Sequence, residues 1–523
     1  MVGAQAARII GKSHDMVLRS IACSRTAVVF SLAFVVAVTA GAASRSGRSS
    51  SPDNWPQFRG PGAIPVSDNP NLPSTWSTTE NVEWAAEVPG VGWSSPIIWD
   101  GKVFVTSAMS EAPMKQPSLG VDFSNDYVAE LRALNIPGEE VERRVTAREN
   151  ELPNEIVLSY GLFSYDLESG NLLWATRFHE GRPPVGRHRK NSYTSETPVT
   201  DGRAVYVYVA FQGLYAFDFD GNQLWAKRLS PHQVYLDFGA GSSPALHGSK
   251  LFILNDNEEQ SFIAAYDKNT GKQLWYTPRR GLGSGMGRKS GWSTPFVWEN
   301  EVRTEIVTLG PGWVISYDLD GDELWRMSRF SQTTIQSPFA WDGLLYVTSG
   351  AAGEQNKPIA AIRAGGSGDI TPSDDATEGE FVAWYNRVAG GTYLPTPVLY
   401  KGGLYVLGDT GIFAMYDPKT GKRLYRVRIH PQARNFTASP WAYDGKIFVL
   451  NEEGDTFVIR AGEEFEFLGI NRLDEFSMAT PAISGNRLLI RTQGTLYSIR
   501  EGKEEERRAR VKFQQLLDLV QYP

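Results

Sequence analysis

Basic side chains crowd two short stretches of this chain: Arg187, His188, Arg189 and Lys190 in succession, then Arg279-Arg280 followed by Arg288-Lys289. Arg434 stands further on in a similar setting. Guanidinium and ammonium groups set together without acids beside them recognise anions, the planar arginine fork matching a carboxylate or phosphate. Gly281-Leu-Gly-Ser-Gly-Met-Gly287, between the members of the second group, could bring backbone N–H groups to the same ligand. Trp93 and Trp292 add flat aromatic faces and complete the candidate ligand-binding set. His179, His188, His232 and His430 show no ligand spacing, so no metal site is assigned. No catalytic residue is assigned either: Asp100, Asp201, Asp342 and Asp444 each precede glycine and read as turn formers.

The elements that position these residues are repeats. Pro96, Pro198, Pro244, Pro295, Pro338, Pro397, Pro440 and Pro481 each follow a small or polar residue and open an apolar strand, a turn and an alternating strand. Their spacings are 102, 46, 51, 43, 59, 43 and 41 residues, the period of a four-stranded propeller blade. A hairpin closes most copies, as in Tyr165–Trp174, Phe217–Trp225 and Tyr317–Trp325, with Asp capping the turn, Gly supplying positive φ and Trp facing the next blade. The eighth copy ends at Thr495–Arg500 without an outer strand, while Asn81-Val-Glu-Trp84 precedes the first copy as an orphan outer strand. Pairing the two closes a ring with no exposed edge at the seam. The expected fold is therefore all-β: an eight-bladed β-propeller over 81–500, closed by an N-terminal outer strand.

Stretches 109–157 and 351–380 fall outside the repeat. The first suggests a helix at Asn125–Asn135; the second reads as a flexible Gly/Ser/Thr/Asp loop. Residues 44–80 form an N-terminal extension, and 501–523 read as an amphipathic helix with Phe513, Leu516, Leu517 and Val520 on one face. The loops joining each outer strand to the next inner strand share one face of such a ring. Over 85–93, 177–193, 228–241, 278–291, 326–335, 387–394, 426–437 and 469–478 they total +12. Every candidate residue falls on these linkers or at their ends, so the expectation is a basic mouth that attracts an anion.

Composition agrees with this architecture and excludes several functions. Of 523 residues, 51 are Gly, 30 Pro, 15 Trp and 21 Tyr, as a turn-rich aromatic β-fold requires, and 41% are hydrophobic, enough for a large core. A single cysteine, Cys23, rules out disulfides, CxxC chemistry and thiolate zinc sites. Thr26–Ala40 is apolar, follows Arg19 and Arg25, and meets small residues at Ala40 and Ala42, which suggests a secretory signal over 1–43, with Met1 or Met16 as start. The other reading is an uncleaved membrane anchor. Cleavage near Ala42 changes the net charge from −7 to −10, a poor balance for nucleic-acid binding.

The hairpins Tyr266–Trp275 and Tyr416–Tyr425, of the form Tyr-Asp-x-x-Thr-Gly-Lys-x-Leu-Trp/Tyr, resemble those of the PQQ-like β-propeller repeat family. The resemblance runs over about 55–500 and includes the opening Asn54-Trp-Pro-Gln-Phe-Arg-Gly60 with Asn81-Val-Glu-Trp84. It implies one of two roles: a BamB-type scaffold without quinone, or a quinoprotein dehydrogenase holding pyrroloquinoline quinone (PQQ) and calcium on the axis. The adjacent cysteine pair of many such enzymes is absent, and their calcium-ligand and Asp-base pattern cannot be placed. The expectation is thus a secreted or periplasmic binding scaffold without cofactor, meeting an envelope protein or an anionic ligand at its mouth, and touching membrane only through its signal or a partner. The alternative is a PQQ- and calcium-dependent oxidoreductase of alcohols or sugars. A third reading, a polysaccharide-binding module, uses the aromatics.

Overall fold

The structure is a computed structural model that describes residues 53–112, 117, 131, 133–150, 156–282, 288–351, 353–354, 356–388, 390–504 and 520–521. The segment Thr26–Ala40, Cys23, most of Gly281–Gly287 and the apolar positions Phe513–Leu517 lie outside these residues. Eight antiparallel sheets make eight blades. Blade 1 runs outward from the axis as Ile97–Trp99, Lys102–Met109, Leu158–Asp166 and Leu172–Gly181. Blade 8 takes three strands from the C-terminal end and its outer strand, Glu80–Glu87, from the N-terminal end, which pairs antiparallel with Thr495–Glu504. The expected closure is what the topology shows.

The hairpin motif holds neighbouring blades together. Each Asp caps its turn through Oδ1, as Asp267 does for the Thr270 N–H at 2.9 Å and Asp417 for the Thr420 N–H at 2.8 Å. Each outer-strand indole then reaches the following blade: Trp84 Nε1 donates to Leu167 O, Trp174 to Phe219 O, Trp225 to Lys268 O, Trp275 to Leu319 O and Trp384 to Pro418 O, all at 2.8–3.0 Å. Under those indoles lie Gly170, Gly221, Gly271, Gly321 and Gly421, where a Cβ would stand 2.5–2.8 Å from ring atoms. These glycines serve the left-handed turn and the ring contact together. Trp325 departs from the pattern, its N–H going to the buried Glu305 within its own blade.

Two expectations need correction, and one element was not foreseen. Leu131 and Ala133 are helical, inside the expected helix Asn125–Asn135, most of which lies outside the described residues, and a further helix follows at Gly138–Asn150. Its first turn carries Glu139 and Glu140, which favour a helix N-terminus, and Glu140 is paired with Arg143 and Arg144. Within 351–380, Ile359–Arg363 is the third strand of blade 5, an apolar strand hidden by its polar flanks, and Gly368–Asp369 adds to the edge of blade 4. At the C-terminal end the strand of blade 8 continues to Glu504, and Val520–Gln521 pairs in parallel with blade 1 instead of ending a helix.

The N-terminal extension crosses the face that carries the inner-strand turns. Trp55 pairs with Ile98 of blade 1, the Thr200 N–H of blade 2 donates to Pro56 O, and Val66 bridges to Ala442 of blade 7. Arg59, fully buried, donates from Nε to Ala63 O (3.1 Å) and from Nη2 to Pro397 O of blade 6 (2.7 Å), with its guanidinium over Phe339 of blade 5. No helix among the described residues is long and apolar enough to cross a membrane.

Candidate functional site

The residue before each repeat proline is Ser or Thr in all eight blades: Ser95, Thr197, Ser243, Thr294, Ser337, Thr396, Ser439 and Thr480. All eight line one cavity of about 260 Å³ on the axis. They are linked around the axis, because seven of the eight backbone N–H groups donate to the hydroxyl of the next blade. Seven successive steps, from Ser95 to Thr197 (3.0 Å) round to Ser439 to Thr480 (3.0 Å), span 2.9–3.3 Å. A hydroxyl that accepts from the backbone keeps its own proton for another partner. The fold itself therefore builds a throat of converging O–H groups.

Aromatic and apolar side chains sit around this ring. Trp93, Phe238, Trp292, Tyr393 and Leu394 line the throat with His188 and Lys190, and Phe58 enters from the N-terminal extension. The two indoles are fixed by their N–H groups, Trp93 to Lys190 O at 2.8 Å and Trp292 to Gly239 O at 2.7 Å. The throat adjoins a wider mouth of about 590 Å³, which shares Lys190, Trp292 and Tyr393 with it and adds Arg288, Arg428, Arg434, Asp409 and Glu452.

The candidate basic residues do not act as one patch. Lys190 pairs with Glu452 at 2.9 Å, and Thr437 donates to the same carboxylate. Arg434 pairs with Glu453. Arg187 donates to the carbonyl of Asn191 and lies over Tyr193. Arg279 is withdrawn from any ligand: it is buried in a bidentate pair with Asp256 and donates to Thr308 and Tyr317, a structural role. Lys289 donates to Glu258 O, Arg280 is exposed, and Arg288 stacks over Tyr235 at 4.4 Å. Arg189 is half-buried and does not line either cavity. Trp93, Trp292, His188 and Lys190 are thus brought together at the throat, with Arg288 and Arg434 at the mouth above them.

The basic face is corrected in size. The loops joining the second and third strands of each blade lie on the same face as the linkers. They contribute −3 over 256–261, −1 over 408–411 and −2 over 451–454, so −6 offsets half of the +12, while the blade 1 insertion 110–157, −5 in sequence, lies partly outside the described residues. Short turns such as Asn451-Glu-Glu-Gly454 carried the missing signal. Asp409, one of these residues, is the mouth carboxylate without an ion pair among the described residues; burial raises its pKa, and Lys357 and Lys190 partly oppose that. The histidines stay separate: His188 meets Phe238 edge-on, His232 meets Glu259, and His430 stacks on Phe467.

A family model described as outer membrane protein assembly factor BamB matches residues 161–302 and 310–514. Among solved structures, the quinohemoprotein alcohol dehydrogenase from Comamonas testosteroni is 13% identical with a TM-score of 0.53, over 88% of this chain and 82% of that one. The quinohemoprotein alcohol dehydrogenase ADHIIG from Pseudomonas putida HK5 is 12% identical with a TM-score of 0.51, over 88% and 82%. BamB from Moraxella catarrhalis is 14% identical with a TM-score of 0.45, over 65% and 91%. At such identities the likeness to solved structures bears on the fold alone. No curated protein matches the chain.

Proposed function

The chain belongs to the PQQ-repeat β-propeller family of outer membrane protein assembly factor BamB, and from that premise we propose that it is a binding module taking its partner at the axial mouth, without redox chemistry. The observation that carries this reading is the polar lining of the throat, which consists of hydroxyls, His188, Asn191, fixed indoles and an ion-paired lysine, with no carboxylate. Calcium asks for six to eight oxygen ligands, carboxylates prominent among them. Among the described residues no three His, Cys, Asp or Glu side chains lie close enough to share an ion. Of the two mouth carboxylates, Glu452 is engaged with Lys190, and Asp409 alone stands without an ion pair among the described residues. A calcium-bound quinone does not fit these residues.

The mouth retains four cations, Lys190, Arg288, Arg428 and Arg434, against Asp409 and Glu452. That balance suits an anionic group on a ligand or on an envelope protein, and the signal-like Thr26–Ala40 places the encounter outside the cytoplasm in this reading. Titrating the purified protein with PQQ and calcium tests it. The expected result is an unshifted quinone spectrum and no dye-linked oxidation of alcohols or sugars; a stoichiometric quinone complex would overturn the proposal. One observation favours the enzyme reading, namely Asp409, a partly buried carboxyl in the mouth of the kind a general base requires. In that case oxidation would be present and would be lost in Asp409→Asn.

A further inference from the structure

The chain covers two of its own blade edges. Val520–Gln521 pairs in parallel with Ala175 and Thr176 on blade 1, and Gly368–Asp369 pairs in parallel with Trp325 and Arg326 on blade 4. The blade 4 cover continues past the pairing. The Ile370 N–H donates to Arg326 O at 2.9 Å, the Ser328 N–H donates to Thr371 Oγ1 at 2.9 Å, and Arg329 pairs with Asp374 at 2.5 Å. The covering segment 366–380 has five acidic residues and no basic one. Parallel addition of extended chain to an outer edge is therefore an arrangement this fold already uses, and on blade 4 the Arg329–Asp374 ion pair ties the acidic segment to the edge.

Blade 6 presents the same edge, more basic and uncovered. Its outer strand Arg423–Arg428 ends a four-stranded sheet, with no fifth strand among the described residues. Aligned on the hairpin motif, Arg426 occupies the position of Arg326, and Arg423 that of Glu323, the residue that neutralises Arg326 on blade 4. Lys419 and Lys422 flank the strand. Among the described residues Lys419 pairs with Asp342, whereas Lys422, Arg423 and Arg426 have no ion pair. Leu424 is exposed beside them, as Leu224 is on blade 2. An open row of backbone donors and acceptors is a template for strand addition, and side-chain charge selects which strand is added.

We propose that the outer edge of blade 6 is a docking site for an acidic, extended segment of a partner polypeptide, added in parallel as a fifth strand. A labelled peptide with the sequence of 366–380 is the probe, titrated against the full chain by fluorescence anisotropy. The expected result is saturable binding that weakens about tenfold in Arg423→Glu/Arg426→Glu, since the reversal turns the basic edge acidic. The same double reversal on blade 2, Lys227→Glu/Arg228→Glu, leaves binding unchanged. Methylating the peptide backbone nitrogen at Ile370 abolishes binding, which separates strand addition from charge attraction. Equal affinity in the blade 6 variant, equal binding of the methylated peptide, or tighter binding of a single-stranded oligonucleotide at this edge each overturns the proposal. Arg423→Ser/Arg426→Ser, checked by circular dichroism, replaces the reversal should that variant misfold.

Discussion

At the scale of residues, the throat is built by a single recurrent choice, a hydroxyl before each repeat proline, and the neighbours of that position decide how the ring responds to pH. Glu196 lies between the throat residues Ser195 and Thr197, is fully buried, and accepts the Ala210 N–H at 2.9 Å. Burial pushes its pKa up to about 7. Because the folded state holds this proton more tightly than the unfolded chain, the stabilisation is complete below the ordinary carboxylate range and is lost as pH rises towards 7. Thermal unfolding scanned from pH 5 to 8 is expected to show this decline, at up to about 1.4 kcal/mol per pH unit. In Glu196→Gln the decline disappears; an unchanged slope would place the titration elsewhere. The small residue before proline was legible as part of the motif, but its hydrogen bond runs to the next blade and has no local mark.

Elements are joined blade to blade by the indole of one outer strand resting on the hairpin glycine of the next. The alternation and the Asp-Gly hairpins were readable because they depend on contacts within a few residues. Trp84 matters most, since it stands on the outer strand that closes blade 8 by pairing with Thr495–Glu504 and its N–H bond to Leu167 O ties that blade to blade 1. Trp84→Ala is expected to cost about 3–5 kcal/mol by leaving a buried void at the seam. Trp84→Phe keeps most of the packing and loses mainly the hydrogen bond, about 1 kcal/mol. Urea unfolding of the two variants tests that order, and equal losses would show that the seam depends on the indole N–H alone. The strand Ile359–Arg363 escaped recognition because Gly, Asn and Pro on one side and Gly and Ser on the other dominate its window. The Val520–Gln521 strand exists only through pairing with blade 1, some 345 residues earlier.

Across the described residues, one axial end of the propeller carries the mouth and the other is crossed by its N-terminal extension. Arg59 pins that extension to blades 5 and 6 without a carboxylate partner among the described residues. Arg59→Ala is expected to loosen the segment while the blades stay folded, read as faster hydrogen exchange at the backbone amides of Trp55 and Ala442. Unchanged exchange there would mean that Trp55 and Val66 hold the segment unaided. Sequence alone determined the eight blades and their hairpins, because each depends on a pattern repeated within about 50 residues, and the closure of the ring, because one end has an orphan outer strand and the other lacks one. It also placed Trp93, Trp292, His188 and Lys190 on or beside the linkers that line the throat. The tertiary structure decided which charges remain available to a ligand. Lys190 meets Glu452 across 262 residues of chain and Arg279 is sealed against Asp256. Coulomb energy depends on distance in space, so a charge count along one set of loops cannot see the acids that other blades bring beside it.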